Sequence, residues 1–470
     1  MTYSLDLGGI ERLLGFELVQ ECGQVSAGDG PLEGSGNLLA SVLAALVEST
    51  ERTCFDQGIS GVLRQNRRTA TQPVRFAPAG RKLLMNARHS LVFTVATSAL
   101  VSLGLVLGAD TGPQRSCQSA GVDSQKRWSR DKAWEWHEKV GPIRGFNYDP
   151  RYAVNDVELW QADTFNLEII DQELGWAQEA GYNSLRVFVP YPVWKGDPEG
   201  LKKRFDQFLT VAYKHDIAVT PVLFCAGDRV AQTGKQGKPI PGVHNSRAVQ
   251  WPGPSVVLDR SAWAGPEKFV RDIVGAFTKD KRIIMWDIFN EPDNSSIKEG
   301  CLPLVEAACE WARSVHPSQP LTIGPWHEYE SKFSQRLMDL SDIVSFHNYE
   351  SPENMRATIE ICRKADRPVV CTEWLRRQVG NTFAAILPVF AEFDVGWYNW
   401  GLVAGRTQTY LWWESREGDS APKVWQHDIL HPNGAPFDPA EIELIRSWHP
   451  RRCPHKRMNN AAVPGLVRSR

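Results

Sequence analysis

The sequence predicts a (β/α)8 barrel that begins near residue 140 and follows an N-terminal extension. Short apolar, β-branched runs alternate with amphipathic helical stretches, the pattern of a parallel sheet with crossover helices. The chain of 470 residues holds a barrel of about 250 residues with room for additions. A doubly wound sheet is the main rival, and it wants a glycine-rich phosphate turn after its first strand. The stretch 144–152, RGFNYDPRY, has none.

The elements follow in order. The first strand is read at 142–148 (PIRGFNY). A helix at 167–181 places Ile169, Leu174 and Ala177 on one side and ends at Gly181, a helix-stop signal. The second strand, 183–189, leads to a helix at 201–216 and a third strand at 217–224. A long Gly/Pro loop, 226–265, precedes a helix at 266–280. The fourth strand, 283–290, is followed by a helix at 302–316. Strands five to eight are read at 320–326, 342–349, 368–375 and 395–403. Helices at 354–365 and 381–393 separate the last three strands, and 438–448 closes the ring.

The front of the chain has another character. Residues 91–109, LVFTVATSALVSLGLVLGA, carry no charge; Arg88 and His89 precede them and Asp110 follows. A basic start, an apolar run and a small-residue exit read as a signal peptide starting at Met85. On that reading residues 1–84 come from an upstream start. At 19 residues the run is also long enough to be a membrane anchor. A buried helix fits worse, because the run holds four Thr or Ser and has no polar face. The expected organisation is an extension at 1–84, a signal or anchor at 85–109, a linker at 110–130, the barrel at 131–452 and a polar tail at 453–470. The expected localisation is export, secreted or periplasmic.

Hydrophobic residues make up 42% and charged residues 23%, ordinary for a soluble globular chain. The net charge of −2 gives no pull toward nucleic acid, so no such partner is expected. Nine Cys form no CxxC pair and no Cys/His metal spacing, and no HExxH occurs. Neither a metal nor a cofactor is expected, and the thiols read as buried more than as a disulfide framework, with one or two bridges left open. Cys225 and Cys371 read as small barrel fillers, since neither has an evident base beside it. The 18 Trp stand out, because Trp is often kept for flat apolar recognition such as stacking on sugar rings.

Barrel sites lie at the C-terminal strand ends. Those ends carry Asn147 and Tyr148, Arg186, Asn290 and Glu291, Trp326 and His327, His347 and Tyr349, Glu373 and Trp374, and Trp400. Two carboxylates beside an aromatic-lined cleft are what glycoside cleavage needs: one protonates the departing oxygen and the other attacks the anomeric carbon. The plainer readings are that Glu291 is a turn residue and that Glu373 is a buried ion-pair partner of Arg376 or Arg377. His347, Arg186, Asn147 and Tyr148 each have a structural reading too. Trp326, Trp412 and Trp413 stand between core and sugar platform.

At these residues the chain resembles the retaining (β/α)8 glycoside hydrolases of clan A, most closely the cellulase-like family 5 enzymes. Asn290-Glu291-Pro292 matches the Asn-Glu pair that ends strand four, and Thr372-Glu373-Trp374 matches the Glu of strand seven. Arg186, the His347-Asn348-Tyr349 triplet and Trp400 match further positions, so the resemblance covers about residues 130–450 as an ordered series. It implies Glu291 as acid/base, Glu373 as nucleophile and Asn290 on the sugar 2-hydroxyl. It implies that Arg186 keeps Glu373 ionised, that Tyr349 hydrogen-bonds it, that His347 lines the glycone side and that Trp400 floors the subsite beside the cleaved bond. Trp326 and Asn147 complete the expected substrate-binding set. The expected substrate is a β-linked polysaccharide or oligosaccharide of xylan, mannan or glucan type. A transglycosylase would use the same residues, and a non-catalytic carbohydrate-binding barrel is the reading from another class.

The chain departs from the family where strand three ends, at LFCAGD, with Cys225 and Asp228 in place of a His pair. That sets it apart from plain cellulases. The long loops after strands three and eight are expected to wall off one side of the cleft, which favours trimming chain ends.

Overall fold

The computed structural model describes residues 126–450. The run 91–109, the extension 1–84, the tail 453–470, Cys22, Cys54, Cys117 and Cys453 lie outside the described residues. Among the described residues no helix is long and apolar enough to cross a membrane.

Eight parallel strands form one sheet in the order β5-β4-β3-β2-β1-β8-β7-β6. They are β1 Arg144–Asn147, β2 Ser184–Phe188, β3 Ala218–Phe224, β4 Trp286–Asn290, β5 Leu321–Gly324, β6 Val344–His347, β7 Val369–Trp374 and β8 Gly396–Trp400. The two ends of that order meet. Asp342 N–H donates to Leu321 C=O at 2.8 Å, and His347 N–H donates to Pro325 C=O at 3.0 Å. The sheet is a nearly closed barrel, which accounts for strands buried on both faces and their near-continuous apolar runs.

The interior is filled by side chains. Tyr398 sits across it, with its hydroxyl on Ser184 at 2.8 Å and Thr220 at 2.9 Å. Gly145 must be glycine there, because a Cβ would lie 2.2 Å from the Tyr398 ring. Trp374 points outward into the helix layer, against Phe383 and Phe390, and so does not join the strand-end residues at the mouth as the strand-end reading expects. Strand alternation explains this: Glu373 faces in, so its neighbour must face out.

The helices start where capping chemistry says they should. Asn166 accepts the Ile169 N–H at 2.9 Å and opens the helix Leu167–Glu179. Its inner face is Ile170, Leu174 and Ala177, so Ile170 takes the inward place expected of Ile169. Two further helices have only short apolar patterns. Lys332–Leu340, between β5 and β6, buries Phe333, Leu337 and Met338. Arg130–Val140 seals the bottom of the barrel. Its Ala133 packs with Ile143, Met285, Ile343, Val370 and Tyr398, and Trp136 Nε1–H donates to Ile284 C=O at 3.1 Å. The opposite end, where the strands finish, is left open to hold a site.

Candidate active site

Arg186 lies in the middle of β2 and is fully buried. A buried cation has to be paired, because losing its hydration costs several kcal/mol. Its guanidinium meets Asp287 Oδ2 through Nε at 2.9 Å and Nη2 at 2.8 Å, and Glu373 Oε1 through Nη1 at 2.7 Å. Nη1 also donates to Asn147 Oδ1 at 2.8 Å and Nη2 to Asn290 Oδ1 at 2.7 Å. One cation thus fixes four strand-borne side chains. Arg376 and Arg377, the partners in the plain reading of Glu373, pair instead with Glu414 at 2.8 Å and Glu441 at 2.6 Å.

Two residues expected to touch substrate lie beneath the cleft instead. Arg186 spends its donors on protein acceptors. Asn147 accepts from Arg186 and donates through Nδ2 to Thr372 C=O at 2.9 Å. Both orient the residues above them.

Glu291 stands where β4 ends, with φ 43° and ψ 55°, the left-handed region. A non-glycine residue there costs on the order of 1–2 kcal/mol. The turn is held by Glu291 N–H on Gly324 C=O at 2.9 Å and by Asn294 N–H on Glu291 C=O at 3.0 Å, with Pro292–Asn294 forming one turn of 3-10 helix. The neighbouring Asp293 accepts the Trp326 and His327 N–H groups at 2.9 and 2.6 Å, which ties the loop after β5 to this turn. The side chain of Glu291 is delivered to the mouth, where Oε2 accepts from Asn294 Nδ2 at 2.8 Å and Oε1 lies 2.5 Å from His347 Nδ1.

Glu373 completes the pair from β7. Its Oε2 accepts the Tyr349 hydroxyl at 2.8 Å and lies 3.4 Å from His347 Nδ1. Facing oxygens of Glu291 and Glu373 and a ring nitrogen of His347 all lie within 4.8 Å of one another. Among the described residues, these three could offer ligand atoms to a metal ion. Their atoms are turned onto each other in hydrogen bonds, and Glu373 already has a cation on it.

Burial raises Glu291 to a pKa of about 7, with the charge of Asp293 adding to the rise and the Asn294 hydrogen bond and Arg186 opposing it. Burial also raises Glu373, against the lowering that Arg186 and the Tyr349 hydrogen bond exert on it. Glu373 has a guanidinium and a phenol in direct contact, and Glu291 has only an amide and an imidazole. Glu373 is therefore the first of the two to ionise. His347 is lowered to about 4 by burial and stays neutral at pH 7. Its Nε2 lies so close to β5 that a Cβ on Gly324 would sit 2.7 Å away, the close approach that position demands.

The carboxylate pair opens into two lobes. One, of about 460 Å³, is polar, with Asp149, Asp156 and Asp228 among its lining beside Phe188, Cys225 and Asn290. The other, of about 230 Å³, is aromatic, lined by Trp326, Tyr349, Trp413, His244 and His427. Glu291, Glu373, Trp400, Asn245 and Asn294 line both. Trp326 and Trp413 therefore face the cleft, and Trp412, outside these lobes, is 41% exposed. Cys225 is more than a filler: it lines the polar lobe and its thiol lies 3.5 Å from the Asn290 amide. Cys225, Cys301, Cys309, Cys362 and Cys371 are free thiols.

Sequence reasoning missed Asp287, Asp149, Asp156, Asn245, Asn294, His244 and His427. Asp287 left a signal, an acid inside the apolar run Met285–Asn290. Asp156 opens the short helix Asp156–Trp160 and Asn294 closes the 3-10 turn after β4, and the rest sit on loops whose course no periodicity reveals.

A family model described as Cellulase (glycosyl hydrolase family 5) matches residues 160–416. Among solved structures, the chain is similar to GH5_18 from Streptomyces cattleya in complex with GlcNAc, at 13% identity over 66% of this chain and 82% of that one, TM-score 0.48. It is similar to the exo-beta-1,4-mannosidase Op5Man5 from Opitutaceae bacterium strain TAV5, at 17% identity over 69% of this chain and 64% of that one, TM-score 0.49. It is also similar to the endo-beta-1,4-mannanase from Thermotoga petrophila, at 16% identity over 66% and 76%, TM-score 0.44. No curated protein matches the chain.

Proposed function

The chain belongs to glycosyl hydrolase family 5, the cellulase family, and from that premise we propose that this glycoside hydrolase cleaves β-linked polysaccharides or oligosaccharides with retention, by double displacement. Glu291 in its acid form donates a proton to the glycosidic oxygen as that bond breaks. Glu373 attacks the anomeric carbon and forms a glycosyl ester. The leaving sugar departs, and Glu291, now a carboxylate, takes a proton from water. The hydroxide equivalent displaces Glu373 and restores both groups.

The observation that carries this reading is the approach of the two carboxylates, with facing oxygens within 4.8 Å. It supports a separation near the roughly 5–5.5 Å of retaining sites over the roughly 6.5–9.5 Å that leaves room for an intervening water. The unequal partners of the two carboxyls, a guanidinium and a phenol on Glu373 against an amide and an imidazole on Glu291, support the same assignment, since an acid and a nucleophile must differ in protonation at one pH. In this reading Trp400, which lines both lobes, underlies the sugar at the cleaved bond, and Asn290, which lines the polar lobe, meets its 2-hydroxyl. Arg186 and Asn147 act through the groups they hold.

The test is reducing-sugar release from xylan, mannan and β-glucan, with Glu373→Ala alongside. Release that disappears in the variant is expected. A folded protein that binds one of these glycans and releases nothing would leave a carbohydrate-binding barrel. We further propose export, on the strength of the run 91–109; N-terminal sequencing of the native protein tests it, and peptides from 1–84 in the mature chain would contradict a start at Met85.

A further inference from the structure

The two lobes differ in how they end. The aromatic lobe shares Trp326 and Tyr349 with a further cavity of about 540 Å³, which runs over the loops after β5 and β6 past His327 and Glu350. In that direction the cleft continues. The polar lobe meets a wall.

The wall is made by the loops after β1 and β3, which put Asn155, Asp156, Asn245 and Val249 on the lobe, and the loop after β8 braces the β3 loop. The β3 loop crosses to the β8 loop and is clasped there. Asn245 N–H donates to Thr407 C=O at 2.8 Å, Gly418 N–H to Pro241 C=O at 2.9 Å and His244 N–H to Ser415 Oγ at 3.0 Å. Gln408 works as a three-way clip: its Oε1 accepts Gly242 N–H at 3.1 Å, and its Nε2 donates to Ile240 C=O at 2.8 Å and Val243 C=O at 3.1 Å. Gly242 is pressed so close that a Cβ would lie 2.5 Å from Asp419 N. The β1 loop joins from the other side, where Asn155 Nδ2 donates to Gln236 Oε1 at 2.9 Å and Arg247 C=O at 3.0 Å. Arg406 N–H donates to Arg151 C=O at 3.1 Å and closes the ring between the β8 and β1 loops. A cavity beyond that seam, lined by Arg151, Gly405 and Arg406, shares no residue with the polar lobe.

Inside the walled lobe, Asp149 Oδ1 is buried with no hydrogen-bond partner among the described residues. A buried acceptor without a partner costs about 1–3 kcal/mol unless something arrives to donate to it. A sugar hydroxyl is such a donor, and a chain end offers one more hydroxyl than a residue inside the chain.

We propose that the clasped β1, β3 and β8 loops make this hydrolase act at chain ends, releasing the one or two terminal sugars that fit between the wall and the carboxylate pair. The inference rests on the hydrolase reading above. Substrate runs out through the aromatic lobe and stops against the wall at Asp149.

The experiment follows products in time. The full chain is given β-1,4-linked mannohexaose, cellohexaose and xylohexaose, each labelled at the reducing end. Terminal action gives one ordered series: labelled pentamer or tetramer first if the non-reducing end is held, labelled monomer or dimer alone if the reducing end is. Labelled dimer, trimer and tetramer appearing together at the earliest times would overturn the inference and leave the hydrolase standing. Cleavage of none of the three would instead count against the hydrolase reading itself. Gln408→Ala ties the pattern to the wall. With the clip gone, the share of internal cuts should rise severalfold with total bond cleavage retained; an unchanged product pattern would show that the wall does not set it.

Discussion

Arg186 and Asp287 lie wholly inside the barrel and share a two-pronged contact, Nε and Nη2 of the guanidinium on Oδ2 of the carboxylate at 2.9 and 2.8 Å. This pairing aims the remaining donors upward, onto Glu373, Asn290 and Asn147. Glu373 and Asn290 are therefore positioned from below by a charge balanced within the core.

Removing that charge should be costly. Arg186→Ala leaves Asp287 and Glu373 buried without a cation, a change that typically destabilises by about 3–5 kcal/mol. Urea unfolding measures it. A loss under about 1 kcal/mol would mean that solvent reaches the pair.

On the proposed mechanism Glu291 sets the alkaline limit, because burial raises it to about 7 and its acid form would donate the proton. kcat/KM should fall about tenfold per pH unit above about 7. Glu291→Gln should lower kcat by about 10²- to 10⁴-fold and abolish that limb. Substrates whose leaving group needs no proton should be spared in the first step. Stability follows the same sign. A raised carboxyl contributes stability that is full below its unfolded value, near 4.3, and is lost as pH rises through about 7. The wild type should lose stability across that window more than the Gln variant, as thermal melts at pH 4.5 and 7.5 would record.

Tyr349→Phe removes the 2.8 Å hydrogen bond to Glu373 Oε2. A hydrogen bond to a charged group contributes about 1.5–3 kcal/mol, so a roughly ten- to hundredfold drop in kcat/KM is expected. Because the lost bond favoured the ionised form, the acid limb of the pH profile should move to higher pH. A drop with no movement of that limb would point to a packing role alone.

Gly324→Ala tests His347. The added Cβ would lie 2.7 Å from Nε2, so the ring must move and its 2.5 Å contact with Glu291 must lengthen. Overpacking of this kind costs about 1–3 kcal/mol of stability. Activity near pH 7 should fall by tenfold or more while the protein still folds. Full activity would show that His347 does not position Glu291.

The barrel was legible because strand and helix periods differ and the chain repeats the alternation. The carboxylates were legible because strand ends in such a barrel share one face. Asn290, Glu291, His347, Tyr349, Glu373, Trp326 and Trp400 meet there as the strand-end rule says. What stayed hidden depends on contacts distant in sequence. Arg186 and Asp287 are 101 residues apart, and neither shows that it will meet the other. Gln408 and Gly242 are 166 apart, so the long loops suggested a wall but not its clasp. Trp374 was misplaced by taking a strand end as a unit, where the pleat turns neighbouring side chains to opposite faces.

The most direct test of the two-glutamate mechanism is the configuration of the first sugar released. Proton NMR should follow hydrolysis of the hexaoses faster than mutarotation. The β-anomer appearing first is expected from double displacement through Glu373. The α-anomer appearing first would mean that water attacks directly, and would contradict the role given to Glu373.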